Sequence, residues 1–85
     1  GTNSLLPFQL LGALSQLEVG NNIWETVMDQ ALKILPDSSD EPLAAAISFA
    51  FKAASKCQRI SQADAFSFLH VFIYHDVVVY YALIS

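Results

Sequence analysis

The chain has 85 residues, of which 54% are hydrophobic and 14% are charged, and its net charge is −4 at pH 7. Soluble domains usually carry roughly 25% charged residues, so this chain has too few charges to coat a free surface. Its acidic balance argues against a nucleic-acid partner, and its single cysteine excludes an internal disulfide or a cysteine-based zinc site. We therefore expect one small domain over residues 1–85, or a fragment of a larger helical protein, that binds a protein partner or another copy of itself.

Charge is divided unevenly between the two halves of the chain. Residues 1–41 hold six acidic residues and one basic residue, a net charge of −5. Residues 42–85 hold two acidic and three basic residues, a net charge of +1. This asymmetry favours docking of the halves on each other or on another copy.

The first predicted helix begins near the N-terminus. Asn3 or Ser4 can cap it, and Pro7 is tolerated in its opening turn. Gly12 lowers helix propensity by about 1 kcal/mol and lets another helix approach closely, and Gly20 is the predicted stop. The apolar residues of this segment recur at helical spacing, at Leu5, Phe8, Leu11, Leu14 (or Leu10) and Leu17.

The second predicted helix is capped by Asn22, with Glu25 completing a capping-box pattern, and it ends at Pro36. We expect Trp24 to anchor two helical hairpins to each other rather than to lie exposed. The apolar stripe of this helix consists of Trp24, Val27, Met28, Ala31, Leu32 and Leu35.

Residues 5–35 resemble a HEAT or armadillo unit. A leucine-rich first helix with Pro7 near its start, Leu5–Leu11, precedes the amphipathic segment Asn22–Leu35. In such repeats the second helix lines a concave face. The resemblance implies a scaffold or binding role and carries over no catalytic residues. Residues 43–83 depart from it, because their last helix is too long and too apolar for an ordinary repeat helix.

Asp40, Glu41 and Pro42 open the third predicted helix after a polar connector. Its apolar face consists of Leu43, Ile47, Ala50, Phe51 and Ala54. Near its C-terminal end three basic residues share one stripe at i, i+4 and i+7, and they are candidate contacts for an anion or an acidic partner: Lys52, Lys56 and Arg59. The alternative is that these cations complement the helix dipole.

Ser61 caps the fourth predicted helix, with Asp64 as its capping-box partner. The segment Ala63–Ile84 is apolar nearly all round, which favours one long buried helix, although Val77–Tyr81 also has the composition of a strand. We do not expect it to span a membrane, because Asp76 lies inside it. The predicted fold is all-α, with four helices in two antiparallel hairpins and a long, nearly all-apolar C-terminal helix.

The aromatic residues of this last segment exceed what 85 residues can bury. We expect four of them to contact a partner surface: Phe68, Tyr74, Tyr80 and Tyr81. No catalytic residue, metal or cofactor is expected, since His70 and His75 lie about 140° apart on a helix and cannot chelate one metal together.

The pattern favours a non-enzymatic protein–protein interaction or oligomerisation module that uses exposed apolar surface of the C-terminal helix. The alternative is a small helical carrier of a hydrophobic ligand or lipid. The chain has one cysteine, and its first residues do not show the signal-peptide pattern of a basic region followed by an apolar run. Both features favour an intracellular location, in the cytoplasm or nucleus.

Overall fold

The computed structural model describes residues 5–35 and 41–74, and these ranges contain four α-helices and no strand. The all-α prediction is confirmed for this part of the chain. The helices are α1 (Leu6–Leu14), α2 (Asn21–Ile34), α3 (Glu41–Lys56) and α4 (Gln62–Tyr74). The prediction of a helix or strand over Val77–Tyr81 lies outside the described residues.

Helix α1 begins beside Pro7, as predicted, but ends earlier than predicted. Its N-cap is Leu5, which makes no side-chain capping bond, and the predicted caps lie outside the described residues. The helix stops at Leu14, where the Ser15 hydroxyl donates 2.7 Å to the carbonyl oxygen of Gly12. Tight turns follow, so the predicted stop at Gly20 is wrong.

Gly20 instead begins the next element. It is the N-cap of α2, with an extended backbone at φ −65° and ψ 159°. Asn22 therefore lies inside the first turn rather than at the cap, and its carbonyl oxygen accepts a bond of 2.7 Å from the Thr26 hydroxyl. At the other end the helix stops at Ile34, with Leu35 as its C-cap, immediately before the proline at position 36.

Helix α3 ends in a Schellman motif built on a non-glycine residue. Gln58 has φ 60°, in the left-handed region. Its N–H donates 3.1 Å to the Ser55 carbonyl, and the Arg59 N–H donates 3.0 Å to the Ala54 carbonyl. Since the helix stops at Lys56, Arg59 does not continue the basic stripe of α3, and the predicted i, i+4, i+7 alignment of all three cations is wrong.

The capping prediction for α4 is confirmed at Ser61, whose hydroxyl oxygen accepts a 3.1 Å bond from the Asp64 N–H. This bond satisfies one of the backbone N–H groups that a helix leaves unpaired at its N-terminus. The helix thus begins at Gln62, shortly after the turn at Gln58 and Arg59 that ends α3.

Among the described helices, α1 packs against both α2 and α3, and α4 packs against α3. Gly12 of α1 leaves room for the ring of Phe49 on α3, because a Cβ atom there would overlap Cε2 of that ring and lie 2.8 Å from its Cζ. All four helices contribute to one apolar core, which contains Phe8, Leu11, Trp24, Met28, Ala31, Leu35, Leu43, Ile47, Ala50, Ala54, Phe68 and Val71.

Candidate functional site

Trp24 joins α2 to the turn between α3 and α4. Its ring is only 4% exposed, and its indole Nε1 donates 2.8 Å to the Arg59 carbonyl oxygen. The Arg59 guanidinium carbon lies 4.8 Å from the centre of the Trp24 ring, a cation–π geometry. Trp24 is thus buried rather than exposed and ties α2 to this turn. That it anchors two helical hairpins to each other stays a prediction.

Arg59 is held from a second side by the connection between α1 and α2. Its Nη2 donates 2.9 Å to the Val19 carbonyl oxygen and 3.2 Å to Oδ1 of Asn21. An indentation of about 300 Å³ surrounds this junction, and three carboxylates line it, those of Glu25, Asp29 and Asp64. Arg59 is therefore bonded within the fold and lies on an indentation that acidic residues also line, unlike the two lysines of α3.

Lys52 and Lys56 lie exposed on a groove between α1 and α3, which has a volume of about 420 Å³. The α1 side contributes Gly12, Ser15 and Gln16, and the α3 side contributes Phe49, Lys52, Ala53, Lys56 and Cys57. None of these lining residues is acidic. The groove thus combines two cations with apolar surface in a chain whose net charge is negative.

Phe49 forms an apolar wall of this groove. Its ring lies over Gly12, yet 52% of the side chain is exposed. The sequence pattern placed Phe49 off the apolar face of α3, so its position over a glycine of another helix was not predicted. The only available signal was Gly12 itself, which indicated that some helix would come close.

Cys57 also lines the groove, half-buried, with its thiol 3.5 Å from the Ala54 carbonyl oxygen. No histidine lines the groove beside it. Within residues 5–35 and 41–74, no group of three or more His, Cys, Asp or Glu residues is arranged to hold a metal ion. What the groove offers chemically is binding through charge and apolar contact.

Phe68 lies in the core rather than at the surface, where a partner was expected to meet it. It is 0% exposed, packs edge-on against Phe8 at 6.4 Å and stacks on Phe51 at 5.6 Å between ring centres. Tyr74 is the last residue of α4, and the other two predicted partner contacts, Tyr80 and Tyr81, lie outside the described residues.

Other apolar side chains of α4 are exposed. Phe66 is 62% exposed and Leu69 is 38% exposed, and they lie one turn apart on the same side of the helix. Sequence reasoning missed both because a helix that is apolar nearly all round gives no sign of which side faces the core. Large exposed hydrophobic residues elsewhere in the described ranges are Leu6, Leu10, Leu17, Ile23 and Phe49.

Comparison of the chain with protein-family models, curated proteins and solved structures gives no match. The resemblance of residues 5–35 to a HEAT or armadillo unit therefore stays a prediction. Among the described residues, no helix combines the length and the hydropathy needed to cross a bilayer.

Proposed function

We propose that the chain is a non-enzymatic protein–protein interaction or oligomerisation module that works through the outer face of α4, defined by Phe66 and Leu69. The observation that carries this function is their exposure, 62% and 38%, on a helix whose other side is already buried through Phe68 and Val71. A helix with apolar side chains on two sides has more apolar surface than one neighbour covers.

Two side chains alone do not hold a stable complex. Full burial of a phenylalanine or leucine side chain stabilises by about 1.5–3 kcal/mol, whereas association costs on the order of 4–15 kcal/mol in lost freedom of motion. Further contacts are needed, and we assign them to Tyr74, Tyr80 and Tyr81. The same proposal includes the two-hairpin arrangement, a long apolar C-terminal helix, a scaffold role of the HEAT or armadillo kind and an intracellular location.

The decisive experiment is the solution mass, measured by light scattering over a dilution series. We expect a dimer or larger species for the natural chain and a monomer for the double variant Phe66→Ser, Leu69→Ser. The matched control is Leu17→Ser, Ile23→Ser, which removes two apolar side chains outside α4 that are 60% and 54% exposed. Trp24 fluorescence should be the same in all three proteins, because its ring lies in the core.

A natural chain that stays monomeric at every concentration would contradict oligomerisation through α4. If the control variant were also a monomer, association would depend on exposed apolar side chains in general, and α4 would have no special role.

A carrier of a small hydrophobic ligand is the second candidate function. The groove between α1 and α3 favours it, because about 420 Å³ falls in the usual size range of ligand pockets and Phe49 offers an apolar wall. Native mass spectrometry distinguishes the two functions. A carrier should appear as a monomer with added ligand mass, whereas the interaction module should appear as an assembly of unmodified chains.

A further inference from the structure

We propose that the groove between α1 and α3 binds an acidic peptide segment of a protein partner, which places an apolar side chain against Phe49 and its carboxylates on Lys52 and Lys56. The groove is separate from the outer face of α4, so this second site does not depend on the function proposed for α4. It rests on the charge and shape of the groove alone.

The two lysines supply the charge complementarity. They lie one turn apart on α3, both are exposed, and neither side-chain ammonium group donates a hydrogen bond within the described part of the chain. Stabilisation of the helix dipole accounts for Lys56, in the last turn, but that effect fades within one turn. Lys52 lies a turn earlier, beyond the reach of that effect, and its charge is available to a ligand in the groove.

The apolar part of the groove supplies the anchor. Phe49 precedes Lys52 by one turn, Ala53 lies on the same side of α3, and Cys57 follows directly after the helix end. From Phe49 to Lys56 the helix advances about 10 Å, which matches one or two turns of a bound peptide helix. A segment with an apolar residue flanked by glutamates therefore meets each feature of the groove with a complementary group.

A peptide fits this charge pattern better than a polyanion does. Two lysines give only local positive potential in a chain with a net charge of −4, and nucleic acids or anionic membranes require a broader basic surface. A few carboxylates on a peptide can contact the lysines without bringing many negative charges close to the acidic first half.

The test is fluorescence anisotropy with a short labelled peptide that carries leucine between glutamates, compared with the same peptide carrying lysines instead. Lys52→Gln, Lys56→Gln should weaken binding of the acidic peptide about tenfold. The matched control is Lys33→Glu, which changes the net charge by the same −2 at an exposed position on α2, outside the groove. We expect its affinity to stay within about twofold of the natural chain.

Cys57 gives a second readout at the site itself, because it is the only cysteine and lines the groove. Saturation with the acidic peptide should slow its reaction with a thiol reagent several-fold, and the lysine peptide should not. Unchanged reactivity, equal binding of both peptides, or equal weakening by Lys33→Glu would overturn the proposal. So would binding to phosphatidylserine vesicles that depends on Lys52 and Lys56 while the acidic peptide fails to bind.

Discussion

At the scale of single residues, Arg59 connects parts of the chain that are distant in sequence. Its backbone carbonyl accepts the Trp24 indole bond, and its guanidinium stacks on the same ring while bonding Val19 and Asn21. A basic residue that looked available for an external anion is thus a structural tie between the α1–α2 connection and the turn before α4.

We predict that Arg59→Ala lowers the free energy of unfolding by about 1–2 kcal/mol, through loss of the cation–π contact and the bonds to Val19 and Asn21. The Trp24 bond to the backbone carbonyl remains possible in this variant. Urea unfolding followed by Trp24 fluorescence measures the loss. Lys33→Ala, which removes an exposed lysine, is the control. If the two variants had the same urea midpoint, Arg59 would not stabilise the fold.

At the scale of elements, the end of α3 determines where Arg59 and α4 begin. Gln58 takes a left-handed conformation that costs a residue with a Cβ atom about 1–2 kcal/mol. Two backbone hydrogen bonds nevertheless stabilise this turn, from Gln58 to Ser55 and from Arg59 to Ala54. The chain therefore reverses here, and the basic stripe on α3 consists of Lys52 and Lys56 without Arg59.

Gln58→Gly should stabilise the fold by about 1 kcal/mol, because glycine adopts the left-handed conformation without a steric cost, although its freer unfolded state offsets part of the gain. Gln58→Ala keeps the Cβ atom and should not stabilise. Thermal unfolding of the two variants side by side checks this. A higher midpoint for alanine than for glycine would mean that position 58 is not left-handed in solution.

At the scale of the whole molecule, Phe68 brings three helices together. It lies on α4, contacts Phe8 of α1 and Phe51 of α3, and is completely buried. The buried side of α4 therefore holds the fold together, and its exposed side, with Phe66, is the surface through which we propose assembly.

Phe68→Ala should lower the free energy of unfolding by about 3–5 kcal/mol, a large part of the 5–15 kcal/mol typical of a domain. Phe66→Ala should change it by less than about 1 kcal/mol in the monomer. Denaturant unfolding at a concentration where the chain is monomeric separates the two. If Phe66→Ala were the more damaging variant, the assignment of the two sides of α4 would be reversed.

The local pattern was sufficient to predict that the described residues form four helices, though not all of their ends, and much of the core. Apolar residues at helical spacing identified the buried faces of α2 and α3, and Ser61 marked the start of α4, because these features depend on residues only three or four positions apart. The role of Gly12 as a point of close approach was also readable, since only glycine removes the side chain there.

Only the tertiary structure decided which residues form the surfaces. Phe66 and Phe68 look alike in an apolar segment, and their different exposure depends on where α1 and α3 lie. Arg59 does not lie in line with Lys52 and Lys56, because the chain turns at Gln58, which has a left-handed backbone. Backbone hydrogen bonds stabilise this turn without a glycine, so the sequence did not indicate it. The groove of Lys52 and Lys56 exists because α1 and α3 meet at Gly12, a contact between residues far apart in the chain that no local spacing encodes.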